Sequence, residues 1–182
     1  PHRVTIPQIH LSMGPHASLD STVWPDLNDG TVYRITYTGV DRAGNEAEAV
    51  VLEGIGYDVT PPVISNLTPS DSSAVNHTRF SYNLSEQIVE GTVTWTWLDG
   101  PEDIGSPHSV NLVEDHMDEG SSGEIELDTA PVLVDGAEYL LELMGRDAAG
   151  NRSETARVSN LRYDLTPPVF TVTYPTTDVY VL

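Results

Sequence analysis

The sequence of 182 residues predicts an all-β fold built from tandem repeats, and three observations support this prediction. Apolar and polar residues alternate with a period of two along several short segments, as they do in half-buried strands. Clusters of Gly, Pro, Asn and Asp separate these segments, which is the composition of turns. Two uncommon motifs recur at one common offset, which indicates an internal repeat.

The repeat is about 106 residues long. The segment Tyr57–Val63 reads Tyr-Asp-Val-Thr-Pro-Pro-Val, and it recurs with a single change as Tyr163–Val169. At the same offset of 106 residues, Asp41–Asn45 is matched by Asp147–Asn151. An immunoglobulin-like sandwich has about 100 residues and seven or more short strands. The sequence therefore predicts tandem immunoglobulin-like β-sandwich repeats.

The domain boundaries follow from the register of the repeat. Residues 1–59 correspond to the C-terminal half of one repeat, residues 60–165 to a complete sandwich, and residues 166–182 to the first strand or strands of the next. In the complete repeat we expect strands near 63–67, 79–85, 91–98, 108–113, 123–127, 137–146 and 153–162.

The composition argues against several classes of function. The formal net charge is -20, and the eight basic residues are all arginines. Such a chain is not expected to bind nucleic acid or an anionic membrane surface, because both require clustered cations. It contains no cysteine, so disulfides and thiol chemistry are excluded. No apolar run approaches the roughly 20 residues of a membrane helix, so membrane insertion is not expected.

The recurring motifs are D-x-T-P-P, at Asp58–Pro62 and Asp164–Pro168, and D-x-A-G-N, at Asp41–Asn45 and Asp147–Asn151. Together they resemble bacterial immunoglobulin-like and fibronectin-type repeats of large surface proteins and adhesins, and the resemblance covers the whole chain. It implies an extracellular, cell-surface module that acts as a structural or adhesive spacer. The implied partners are neighbouring repeats and a cell-surface glycan or protein ligand. Some members of the family bind calcium at the junctions between domains.

The sandwich topology also predicts where acidic residues gather. The linker, the turn between the last two strands and the loop after the second strand should meet the end of the preceding repeat. The carboxylates concerned are Asp58, Asp147, Glu86, Asp29 and Asp26, with Asp41 and Asp164 as the equivalents of Asp147 and Asp58 at other junctions. Calcium takes six to eight oxygen ligands, so one interpretation is a calcium site at each junction. The other is that these aspartates cap turns.

No catalytic motif supports an enzyme: the sequence lacks G-x-S-x-G, H-E-x-x-H and a phosphate-binding glycine loop. Trp95 and Trp97 share one face of the third predicted strand. We expect core packing there, since a buried tryptophan on that strand is typical of such sandwiches. The alternative is an exposed platform for sugars, which would suit an accessory carbohydrate-binding module of a secreted enzyme. His108 recurs as the equivalent of His2, but no second ligand lies at zinc-site spacing.

The partial repeats at either end allow two interpretations. In the first, the chain is a segment of a longer protein. In the second, a strand such as Val169–Tyr174 completes the half-repeat of another copy or folds back onto that of its own chain. Strand donation of this kind builds filaments, so a subunit of an extracellular filament or surface layer is a second functional hypothesis.

Overall fold

A computed structural model of the chain describes residues 3–6, 25–171 and 173. The chain divides into two compact units, Pro1–Thr60 and Pro61–Leu182. The described residues form β-strands, turns and a 3-10 turn at Glu114–His116, and none of them lies in an α-helix. The predicted all-β fold is thereby confirmed. Within these ranges, no helix has the length and apolar character needed to span a bilayer.

The strands are named in chain order. The first unit contains β1 (Thr31–Tyr37) and β2 (Val50–Tyr57). The second unit contains β3 (Ile64–Thr68), β4 (Ala74–Val75), β5 (Ser81–Leu84), β6 (Glu90–Asp99), β7 (His108–Asn111), β8 (Gly120–Ser121), β9 (Glu138–Arg146) and β10 (Ala156–Tyr163).

The second unit has two sheets. One sheet has the order β4-β10-β9-β6-β7, and the other has the order β3-β5-β8. All of these pairs are antiparallel except β10 with β4, which is parallel. An isolated antiparallel β-bridge between Phe80 and Ile125 extends the backbone pairing of the smaller sheet past the end of β8.

One hydrophobic core lies between the two sheets. From β9, alternate residues Tyr139, Leu141 and Leu143 point inward and are at most 1% exposed. From the other sheet, Phe80 and Tyr82 are each 1% exposed. Alternation of this kind buries one face of each sheet, so the second unit is a β-sandwich-like domain.

The sequence prediction of strands is close for most elements, and it differs from the structure around residues 120–127 and at β4. The predicted strand at 123–127 has paired backbone only at Ile125, and β8 lies upstream of it. The alternate apolar side chains of this segment are nevertheless buried, since Ile125 and Leu127 are 1% and 7% exposed. The short strand β4 was not predicted, since two residues are too few to show a period.

The first unit contains a hairpin that matches β9–β10 of the second. In β1–β2, Tyr33 lies opposite Ile55 and Ile35 opposite Leu52. The pairs at equivalent positions of β9–β10 are Tyr139 with Leu161 and Leu141 with Val158. Both ladders shift register between these two pairs. Over this hairpin, the repeat of 106 residues is therefore present in the structure as well as in the sequence.

The backbone at the register shift has the same unusual conformation in both hairpins. Gly54 has φ 73°, and its equivalent Asn160 has φ 55°. Glycine and asparagine are the residues that adopt this left-handed region most readily. The conformation is thus conserved between the two hairpins although the residue differs.

Candidate functional site

The residues that follow β10 are held to the start of β9 by an aspartate. Asp135 accepts a hydrogen bond from the Leu165 N–H (2.6 Å) and another from the Thr166 hydroxyl (2.9 Å). Asp164 accepts one from the Thr166 N–H at 3.0 Å. The Gly136 N–H also donates to the Tyr163 carbonyl at 2.7 Å. We call the set Asp135, Asp164 and Thr166 the second linker clamp.

The first unit contains the same arrangement, the first linker clamp, which consists of Asp29, Asp58 and Thr60. Asp29 accepts hydrogen bonds from the Val59 N–H (2.7 Å) and from the Thr60 hydroxyl. Asp58 accepts one from the Thr60 N–H at 2.9 Å. The Gly30 N–H donates to the Tyr57 carbonyl at 2.9 Å. Each clamp therefore fixes the first residues of a linker onto the hairpin that precedes it.

The clamps depend on ionised carboxylates. The Leu165 N–H, and after it the Thr166 hydroxyl, lowers the pKa of Asp135 below its ordinary value. The Thr60 hydroxyl, followed by the Val59 N–H, lowers the pKa of Asp29 in the same way. Hydrogen bonds donated to a carboxylate favour its charged form. Both aspartates are therefore ionised at neutral pH and act as hydrogen-bond acceptors.

The D-x-A-G-N motifs form turns that an aspartate caps. Asp147, 2% exposed, accepts hydrogen bonds from the Gly150 N–H (2.7 Å), the Asn151 N–H (2.8 Å) and the Asn151 side-chain amide (2.9 Å). Asp41 accepts hydrogen bonds from the Ala43 N–H, the Asn45 N–H and the Asn45 side-chain amide, each 2.8 Å long, and the two from Asn45 are equivalent to those from Asn151. The predicted turn-capping role is confirmed in both motifs.

A second carboxylate lies beside Asp147. Carboxylate oxygens of Glu86 and Asp147 come within 4.8 Å of each other in the second unit. Burial acts to raise the pKa of Asp147, but the hydrogen bonds from Asn151 outweigh it, and the pKa is lowered. The site thus combines a buried, ionised carboxylate with a partly buried one. Oxygen ligands of this kind suit a hard divalent cation, which would need further oxygens to complete its shell.

The other predicted site residues lie at different places. Asp26 is exposed ahead of β1. Asp41 lies in the β1–β2 turn, at the opposite end of the hairpin from Asp29. Asp164 is likewise at the opposite end of β9–β10 from Asp147. The structure thus brings Glu86 to Asp147 within the second unit. The participation of Asp58 in a site with these two residues stays a prediction.

A buried polar network was not predicted from the sequence. Asp103 is 9% exposed, and its Oδ2 atom lies 2.7 Å from both the His108 Nε2 atom and the Tyr139 hydroxyl. The Tyr139 oxygen also accepts a hydrogen bond from the Val134 N–H at 2.9 Å. Burial raises the pKa of Tyr139 to about 12, so its hydroxyl stays protonated and donates to Asp103. The recurrence of histidine at His108 was interpreted only as a candidate zinc ligand, and no motif in the sequence marks this network.

The two tryptophans do not form an exposed platform. Trp95 is 1% exposed and meets the ring of Phe80 edge-on, with ring centroids 6.0 Å apart. Trp97 is partly buried against the core, and its indole N–H donates to the Pro101 carbonyl at 3.1 Å. Core packing is therefore confirmed for Trp95, which leaves its ring inaccessible to a sugar.

The sequence matches no protein-family model, and no curated protein is significantly similar to it.

Proposed function

We propose that this chain is an extracellular structural repeat module that acts as a spacer in a cell-surface protein. The observation that carries the proposal is the linker clamp, which is built in the same way after β2 and after β10. A stiff spacer keeps its two ends in fixed relative positions. The chain that leaves each repeat must therefore be held in place. A clamp that recurs at the repeat offset meets this requirement.

The topology of the second unit supports an immunoglobulin-like assignment. In that fold, strands A, B and E share one sheet while G, F and C share the other. The sheets β3-β5-β8 and β10-β9-β6 have this arrangement, with β7 beside β6 as a further strand. A tyrosine hydroxyl bonded to backbone a few residues upstream is a further hallmark. Tyr139 bonds to the Val134 N–H in this way, and Tyr33 bonds to the Asn28 N–H at 2.7 Å.

Two prolines reinforce each clamp. Pro61 and Pro62 follow Thr60 directly, and Pro167 and Pro168 follow Thr166. Proline fixes its own φ and restricts the preceding residue to an extended conformation. The clamp holds the beginning of the linker by hydrogen bonds, and the prolines limit the conformations of the residues that come next. Both effects lower the entropy of the linker, as a stiff spacer requires.

The spacer proposal is tested by nuclear magnetic relaxation of backbone amides in the linker. We expect the Val59 and Thr60 amides to have order parameters close to those of β2. Asp29→Ala removes both acceptor bonds and should lower these order parameters, while Asp26→Ala, at an exposed residue outside the clamp, should not. Order parameters typical of a flexible segment (below about 0.6) in the unaltered chain would contradict the proposal.

We also propose that calcium binds at Glu86 and Asp147 and adds to the rigidity of the repeat. The close approach of these two carboxylates favours it, because a cation would offset their mutual repulsion. Calorimetric titration of chelator-treated protein with calcium should give heat that Glu86→Gln abolishes. Glu126→Gln alters an exposed carboxylate and serves as the control. Absence of heat at millimolar calcium would exclude this part of the proposal.

A further inference from the structure

The segment that enters the second unit is bonded directly to the strand that leaves it. The short strand β4 pairs with the end of β10 in a parallel arrangement, with Ala74 opposite Arg162 and Val75 opposite Tyr163. On its other side, β10 pairs with β9. The entering and the leaving parts of the chain are therefore joined with no strand between them.

Hydrogen bonds run along the whole contact between residues 71–75 and residues 159–164, which we call the entry–exit patch. One of them, of 2.6 Å, joins the Ser159 N–H to the Asp71 Oδ1 atom. Others join backbone N–H groups to backbone carbonyls at 2.9 Å, from donor to acceptor: Ser72 to Ser159, Arg162 to Ser73 and Asp164 to Val75. The patch is thus longer than the two paired residues of β4.

The direction of the strands decides how this patch carries tension. Because β4 and β10 are parallel, the chain enters the patch at Asp71, beside Ser159, and leaves it at Asp164, beside Val75. Tension along the chain therefore pulls the two strands in opposite directions along their own axes. The hydrogen bonds of the patch are then loaded together. In an antiparallel pair the entering and leaving chains would lie at the same end, and the bonds would open one after another.

Both strands of the patch are anchored to the rest of the unit. Val75 and Tyr163 are partly buried and pack against the hydrophobic core. Tyr163 is also tied to the start of β9, since its N–H donates to the Ala137 carbonyl at 2.9 Å and its carbonyl accepts from the Gly136 N–H at 2.7 Å. Ahead of the patch, the entering chain is paired through β3 with β5. Sliding of either strand must therefore break core packing and neighbouring bonds as well.

We propose that the entry–exit patch makes the second unit a force-bearing module, which stays folded under tension applied along the chain. The inference rests on the proposed spacer role, because a spacer in a cell-surface protein is pulled by whatever its two ends are attached to. The linker clamps hold the direction of the chain between repeats. The patch instead holds the repeat itself together, by the most direct bonded path between the entering and the leaving chain.

The experiment measures the lifetime of the second unit at constant force in the full chain, tethered at its two ends. Unfolding of this unit is recognised by the length of chain that it releases, about 3.3–3.6 Å per residue. The reference is a second pulling geometry, in which the force acts between an Ile104→Cys handle and the C-terminal end. The sequence has no cysteine of its own, so this handle is unique.

The second geometry does not shear the patch. Ile104 is exposed and follows β6, whose Asp99 lies opposite Glu138, and Glu138 lies opposite Arg162. The handle is therefore at the same end of the sheet as the leaving chain, and the force acts across the strands. We expect a longer lifetime at the same force when the chain is pulled by its two ends. Equal lifetimes in the two geometries would overturn the proposal.

Asp71→Ala tests the patch itself, because it removes the acceptor of the Ser159 N–H. With the chain pulled by its ends, the lifetime should shorten about 3- to 10-fold, as expected for the loss of one hydrogen bond. Asp71→Asn keeps an oxygen acceptor and should restore most of the lifetime. Asp118→Ala removes an exposed hydrogen bond to Gln87 outside the patch and should leave the lifetime unchanged.

The Ile104→Cys geometry separates the load on the patch from a general loss of stability. There, Asp71→Ala should have little effect on the lifetime. Equal shortening by Asp71→Ala in both geometries would refute the load-bearing role of the patch. Failure of the spacer role would be seen differently, as low order parameters of the Val59 and Thr60 amides with the lifetimes of the second unit still as expected.

Discussion

The hydroxyl of Thr166 donates a hydrogen bond of 2.9 Å to Asp135, a residue 31 positions earlier in the chain. Thr60 and Asp29 form the same bond in the first unit. The D-x-T-P-P motif therefore has a partner elsewhere in the sequence, the Asp-Gly pair before β1 or β9. Asp29 and Asp135 hold the linker. The Asp-Gly pair and the D-x-T-P-P motif act together, and they therefore recur at the same offset.

Asp147→Ala should destabilise the second unit by about 1–3 kcal/mol, because the partly buried hydrogen bonds from the Gly150 and Asn151 N–H groups lose their charged acceptor. Chemical denaturation gives the free energy of unfolding. Asp41→Ala is the matched control, since it alters the equivalent but exposed turn of the first unit. It should leave the unfolding of the second unit unchanged. Equal stability of the Asp147→Ala variant and the unaltered protein would argue against the capping role.

Trp95→Ala should cost about 3–5 kcal/mol of unfolding free energy, the usual range for loss of a large aromatic side chain from a core. Trp97→Ala should cost less, because Trp97 is only partly buried. The comparison of the two variants by thermal or chemical denaturation tests the assignment of Trp95 to the core. A larger loss for Trp97→Ala would show that the assignment is wrong.

Tyr139→Phe removes one hydrogen bond to Asp103 and the acceptor for the Val134 N–H. We expect a loss of about 1–3 kcal/mol, since both partners are left without that bond. A double-mutant cycle with Asp103→Asn should give a coupling energy of about 0.5–3 kcal/mol for residues in contact. Additive effects of the two substitutions would mean that the network does not act as a unit.

Much of the fold was predictable because its signals are local or repeated. Alternation along β9 marks Tyr139, Leu141 and Leu143 as inward-facing, and their burial confirms it. The D-x-A-G-N motif predicts a capped turn, since all donors and the acceptor lie within five residues. Such features depend on a short stretch of chain, so a single sequence is enough to find them.

The features that escaped prediction depend on contacts between distant residues. Asp135 precedes Thr166 by 31 positions, and its role follows only when the β9–β10 hairpin brings them together. Asp103 lies in an irregular loop, where neither periodicity nor a motif marks a buried carboxylate. Asp29 was predicted as a candidate metal ligand, whereas in the structure its carboxylate accepts hydrogen bonds from the linker.

The protonation of the clamp aspartates has a definite effect on stability. Their folded-state pKa values are lowered, so the clamps stabilise the fold above the ordinary aspartate pKa of about 4. This contribution is lost as the pH falls through the lower folded-state value. Acidification should therefore release the Val59 and Leu165 amides from their acceptors.

The most direct test of the recurring clamp is a pH titration followed by nuclear magnetic resonance of the Asp29 and Asp135 carboxyl carbons. We predict that both carboxyls titrate below the ordinary range, and that the Val59 and Leu165 amide signals shift with the same midpoints. Titration of both carboxyls near pH 4, with no accompanying change at the Val59 and Leu165 amides, would contradict the account.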